Sequence, residues 1–101
     1  MPLLILTSFA KKTDALGFAK KLLGQKLAAC CSIFPGATSL YHWKGKDVKA
    51  SEVFLLIKTV SQKMKPLEKF FKENHPYELP EFLTMKVSAS KGFGAWIKKQ
   101  V

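Results

Sequence analysis

An α+β fold with the element order β-α-β-β-α-β and one further helix at the C-terminus is what the sequence predicts, and three observations predict it. Apolar runs of strand length alternate with stretches in which apolar residues recur every three or four positions. Two of the runs are long and meet at the turn-forming Lys44-Gly45-Lys46-Asp47, which predicts an extended hairpin between the second and third strands. No linker, repeat or low-complexity tract interrupts the 101 residues, so a single domain over residues 1–101 is expected.

The first strand is Pro2 to Phe9, a continuous apolar run closed by Lys11-Lys12-Thr13-Asp14, as a strand central in a sheet requires. A helix follows. Thr13 is placed to cap it, Asp14 favours its positive end, Ala15, Phe18, Ala19, Leu22 and Leu23 form its apolar stripe, and Lys20, Lys21 and Lys26 load its negative end. Gly24 marks its close, and Leu27 to Phe34 opens a second strand. Pro35-Gly36 would end most strands, yet Ala37 to Trp43 resumes in extended, β-prone residues, which predicts a bend or bulge rather than a stop. Ser51 to Val60 returns antiparallel as the third strand.

Met64, Leu67, Phe70 and Phe71 form the stripe of a second helix, with Pro66 tolerated in its first turn, Glu68 four residues before Lys72, and a stop at His75-Pro76. Phe82 to Val87 is a short strand, and Phe93, Trp96 and Ile97 are the stripe of a terminal helix. This is the split βαβ, or ferredoxin-like, order. It hosts unrelated functions and by itself says nothing of activity.

Composition narrows the function classes. The formal charge is +10, carried by seventeen basic residues against seven acidic ones, but every basic residue is lysine. Arginine supplies the planar fork that clamps phosphate or reads guanine, whereas lysine is a mobile point charge, so the charge reads as a solvated coat rather than a nucleic-acid site. The opening Leu3-Leu4-Ile5-Leu6 is too short for a signal or a membrane span. Cys30 and Cys31 are adjacent, a pairing that strains a disulfide, and they point to a reducing compartment; a cytoplasmic protein is expected. Cys30 is expected in the core.

A strand from Leu27 to Trp43 extends on the order of 50 Å, whereas a twelve-residue helix covers only roughly 18 Å. The far end of the hairpin nonetheless carries Leu40, Tyr41 and Trp43. Another subunit should cover it, unless the strand folds back at Pro35-Gly36 onto its own domain.

His75-Pro76-Tyr77-Glu78-Leu79-Pro80-Glu81 gathers an imidazole, a phenol and two carboxylates between stiffening prolines, which reads either as a site loop or as a helix stop. With Leu27-Ala28-Ala29-Cys30, Pro35-Gly36-Ala37-Thr38-Ser39-Leu40-Tyr41, Trp43-Lys44-Gly45-Lys46 and Leu56-Ile57-Lys58-Thr59, this segment resembles the signature of the CutA divalent-cation-tolerance family. The blocks occur in family order over nearly the whole chain. The resemblance implies a ferredoxin-like homotrimer joined through its long hairpins, an association with copper and divalent-cation tolerance, and no enzymatic activity or required cofactor. It also implies kinship of architecture with the nitrogen-regulatory PII proteins, which bind effectors between subunits, so a PII-like signalling module is the alternative reading.

His75 matches a histidine proposed as a copper ligand in some members, while the cysteine and histidine proposed beside it fall at Thr7 and Asn74. One imidazole binds Cu(II) weakly, so a metal would need Glu78 and Glu81 or further copies of His75. Lys58, in an apolar strand, is either paired with a carboxylate or a bound anion or snorkels to solvent. By resemblance, Lys58, Tyr41, Trp43, His75, Tyr77 and Glu78 line an inter-subunit cleft for a metal ion or small anionic ligand. Two rivals on this fold fare worse. Lys91-Gly92-Phe93-Gly94-Ala95 imitates an RNA-recognition signature but lies outside the third strand, and acylphosphatase chemistry needs an arginine that the chain lacks. No Ser-His-Asp, P-loop or HExxH pattern is present.

Overall fold

Buried and half-buried positions alternate along β1, Pro2–Phe9, and along the second half of β3, Lys46–Val60. Side chains of a strand point alternately to its two faces, so this pattern turns one face of the paired strands to the helices and the other away. The computed structural model covers residues 1–101 and places around them α1 (Lys12–Gly24), β2 (Cys30–Trp43), α2 (Met64–Asn74) after one 3₁₀ turn, β4 (Leu83–Lys86) and α3 (Lys91–Gln100). All pairings are antiparallel, in the order β2-β3-β1-β4. The expected ferredoxin-like α+β order, with its added C-terminal helix and long hairpin, is the observed one.

Four local expectations change. Thr13 does not cap α1, which begins two residues earlier than that cap would place it, behind Lys11 and with no side-chain cap. The residue that closes this helix in a left-handed conformation is Lys26, at φ 56°, rather than Gly24, and the amides of Lys26 and Leu27 turn back to the carbonyls of Leu23 and Leu22. β2 therefore starts at Cys30, with Leu27 and Ala28 buried beneath its approach. The third strand starts at Lys46 instead of Ser51, because Lys44 and Gly45, at φ 51° and 77°, make a tight two-residue turn and leave Lys46 and Asp47 free to pair. The cap that sequence reading missed is Ser90, whose hydroxyl accepts the Phe93 amide at 3.2 Å and starts α3.

The bulge at Pro35-Gly36 is present. Phe34 pairs with Phe54 and Ala37 with Glu52, so two residues of β2 oppose Val53 alone, with Gly36 at φ 81°. Beyond it the hairpin continues as an arm, and the molecule measures 44 × 25 × 22 Å. Leu40 is 76% exposed, Tyr41 43% and Trp43 42%, so the arm does not fold back under its own chain.

The core lies on one side of the sheet. Leu3, Ile5 and Phe9 of β1 and Val53, Leu55 and Ile57 of β3 meet Phe18 and Leu22 of α1 and Leu67, Phe70 and Phe71 of α2. Phe18 is its hinge, with ring centroids of Phe9, Phe70 and Phe71 at 5.1, 4.9 and 5.0 Å. On the opposite side, Leu4, Leu6, Phe54 and Leu56 are only half-buried, and Phe34, Leu83 and Met85 are exposed. Only α3 approaches that face, through buried Ile97 and the Phe93 ring.

Replacing Phe18 with alanine removes the ring that joins both helices to the sheet. Chemical denaturation of Phe18→Ala is expected to show a loss of about 3–5 kcal/mol; a loss below about 1 kcal/mol would contradict this packing.

Candidate functional site

α2 ends because Pro76 cannot continue it, and the turn delivers His75, in extended conformation, against β1. The imidazole is buried and stacked on Phe9 at 4.4 Å and 14°. Its Nε2 lies 3.1 Å from the Ser8 carbonyl oxygen and 3.1 Å from Thr7 Oγ1, and its Nδ1 accepts the Tyr77 backbone N–H at 3.1 Å. A carbonyl only accepts and an amide only donates, so these partners assign the proton to Nε2 and the neutral tautomer to the ring. Burial holds the His75 pKa below its ordinary 6.5, against a smaller opposing effect of the Ser8 carbonyl.

His75 thus pins the loop that follows it to β1, and both of its nitrogens are engaged in doing so. Thr7 touches the imidazole, so positions 7 and 75 are neighbours in space, but a threonine hydroxyl stands there. Asn74 turns back to the Phe70 carbonyl at 3.1 Å. No three His, Cys, Asp or Glu side chains of one chain converge where they could share a metal ion. The sequence expectation of His75 as a metal ligand therefore meets a residue already used as a clamp.

The clamped loop forms one wall of a cleft of about 860 Å³, whose other walls are the arm and the end of β1. Tyr41, Trp43, Tyr77, Glu78 and Glu81 all line it, so five of the residues singled out from the sequence come together in one chain. Glu52 joins them. Sequence reading passed over it as the polar start of an apolar strand; its one signal is a carboxylate placed just where the bulge realigns β2. Glu81 is raised above the ordinary carboxyl value by burial and then by the charge of Glu52. Tyr77 is raised by burial and then by Glu52, Tyr41 and Asp14. A second cavity, of about 390 Å³ beside Met1 and α3, holds none of the candidate ligand or metal residues.

Lys58 is elsewhere. It pairs across β2 with Cys30, ten residues along β3 from the partner of Tyr41, a separation of roughly 33 Å at strand rise. Its ammonium lies 3.9 Å from Cys30 Sγ and 6.0 Å from the Phe93 ring, half-buried on the open face of the sheet without a carboxylate. Within one chain it does not share the cleft with the aromatic residues. Cys30 stands on that open face too and not in the core; it is Cys31 that packs on the core, where burial, and then Cys30, push its thiol up to about 12. Lys91-Gly92-Phe93-Gly94-Ala95 opens α3, a helix, where the Phe93 ring stacks on Trp96.

Because the folded pKa of His75 is lowered, the fold holds fewer protons than the unfolded chain just below pH 6.5. Its stabilisation is complete above pH 6.5 and is lost as pH falls through the lower folded value. Urea midpoints of the parent should drop across that window, whereas His75→Phe, which keeps the ring but orphans Ser8 O and Thr7 Oγ1, should start about 1–3 kcal/mol lower and change less with pH. Parallel pH curves would refute the clamp.

Residues 3–100 match the family model described as CutA1 divalent ion tolerance protein. The divalent-cation tolerance protein CutA of Yersinia pestis (strain Pestoides F) is 38% identical over 96 residues, spanning 94% of this chain and 81% of that one. Among solved structures, the divalent cation tolerance protein (Cut A1) of Thermus thermophilus superposes with a TM-score of 0.94 at 32% identity, covering 99% of this chain and 98% of that one. The CutA of Archaeoglobus fulgidus, described as a periplasmic divalent cation tolerance protein, gives 0.94 at 33% identity over 99% and 98%. A match along almost the full length, at that identity and with the same topology, has one meaning: the chain belongs to the CutA divalent-cation tolerance family.

Proposed function

We propose that this protein acts in divalent-cation tolerance as a cytoplasmic homotrimer without a catalytic cycle, and that its cleft is a ligand site completed between subunits. The observation that carries the reading is the family match over residues 3–100. The assembly is supported by what one copy leaves uncovered. An arm tipped with Leu40, Tyr41 and Trp43 and a sheet face with Phe34, Leu83 and Met85 leave exposed large apolar side chains of the kind that subunits bury. The two thiols support a reducing compartment, and no helix is long and apolar enough to cross a membrane.

For copper or another divalent cation, His75 is the family position to test. Since a metal there would displace a hydrogen bond from each nitrogen it used, we expect calorimetric titration with Cu(II) to give the same heat for the parent and for His75→Ala, with folding checked by circular dichroism. A signal present in the parent and lost in the variant would return the metal to the imidazole. The preformed cleft also favours the second reading, an effector-binding module of the PII kind. A small anion, if one is bound, is assigned to Lys58 rather than to the cleft.

Light scattering should give three times the 11.3 kDa of the chain at micromolar concentration. Leu6→Asp, which sets a charge in the middle of the open sheet face, should shift that mass downward. A parent that runs as a clean monomer would remove the assembly from this proposal.

A further inference from the structure

The walls of the cleft invert the charge of the molecule. The chain carries seventeen lysines and seven acidic residues. None of those lysines lines the cleft, and three of the carboxylates do: Glu52, Glu78 and Glu81. Tyr41, Trp43 and Tyr77 share the same walls, and exposed Leu40 and Leu79 lie at its rim. Carboxylates gathered in a recess lose hydration and repel one another, and the raised Glu81 and Tyr77 register both costs. A cation in the recess would relieve them.

The geometry separates kinds of cation. A bare divalent ion needs several donors converging on one point, and the chain offers no such group. Aromatic faces, by contrast, attract an organic ammonium, which is far less strongly hydrated than a divalent ion, and also pack on its hydrocarbon body. Trp43 already shows that preference at the edge of the cleft, where the Lys44 ammonium sits 5.8 Å from its ring centroid. On the walls that one chain supplies, an anion meets three carboxylates and no lysine. The overall charge of +10 repels polycations at long range, which favours an amine of one or two charges over a longer polyamine.

We propose that the cleft binds a short alkyl ammonium ion, an amine or diamine whose charged end is attracted by the carboxylates that Glu52, Glu78 and Glu81 spread along the walls while its carbon chain lies against Tyr41, Trp43 and Tyr77. This rests on the reading of the cleft as a ligand site and names the chemistry of its ligand. The same group is available from a free amine or from a lysine of a neighbouring copy; the free amine is the source proposed.

The test uses 1,4-diaminobutane as probe. In a Trp96→Phe background Trp43 is the sole tryptophan, so its emission reports the cleft. Titration at fixed ionic strength should give a saturable change, confirmed by calorimetry. Glu52→Gln and Glu81→Gln should each weaken it about tenfold. Lys20→Ala, on exposed α1 surface, should not. Magnesium chloride should not compete.

No saturable response to the amine, or equal affinity in parent and glutamine variants that remain folded by circular dichroism, would overturn the proposal. If adenosine triphosphate saturates the Trp43 signal and the amine does not, the cleft stays a ligand site but the ammonium is discarded. If nothing tried gives a response and Glu81→Gln alters the assembly by light scattering, the occupant is a neighbour's lysine and the free-ligand reading falls with the amine.

Discussion

A fourteen-residue strand paired with a fifteen-residue strand is served by helices of thirteen and eleven residues, and a helix advances less than half as far per residue as a strand. That mismatch of lengths is the constraint on which the rest of the structure depends. The helices shelter the inner half of the hairpin, where Leu55 and Ile57 are fully buried, and leave the outer half as an arm. The arm in turn supplies one wall of the cleft and carries the aromatic residues placed furthest from their own core. The exposed arm and the cleft arise from the same excess of strand over helix.

The second determinant is local. In this chain the imidazole before Pro-Tyr is a structural clasp: it joins the end of α2 to β1 and fixes the loop that bears Tyr77, Glu78 and Glu81. The threonine at position 7 completes the clasp where some relatives are proposed to carry a cysteine. A thiol in contact with a histidine is a pair of soft donors, whereas a hydroxyl in that place is a hydrogen-bonding partner. The same backbone can thus present a metal-binding pair or a fastening, and the residues of this chain favour the fastening.

Much of this was legible in the sequence. Helical spacing of Phe18, Leu22, Leu67 and Phe70 located the core, and Pro35-Gly36 within a β-prone stretch located the bulge. The aromatic and acidic residues of the arm and loop were recognised through family blocks and do meet in one cleft. What stayed hidden depends on faces and backbone angles. That Cys30 and Cys31 alternate to opposite faces follows from an extended chain, but which of the two faces the core does not, and it is Cys31 rather than the expected Cys30. Lys58 and Tyr41 belong to neighbouring strands, but only the register shows how far apart they lie. A left-handed Lys26 beside an available Gly24 follows from where the chain must turn toward β2, not from the preference of either residue.

The extra residue at Pro35-Gly36 also sets the phase of everything downstream. Before it, even-numbered positions of β2 such as Phe34 share a side with Phe54; after it, odd-numbered positions take over, and Ala37, Tyr41 and Trp43 stand opposite Glu52, Val48 and Lys46. Had the alternation run uninterrupted, Leu40 and His42 would stand on the side of Glu52, and Tyr41 and Trp43 would be turned to the other face. A single looped-out residue acts like a frameshift in three dimensions: it leaves the composition of the arm unchanged and decides which half of it shares a face with Glu52.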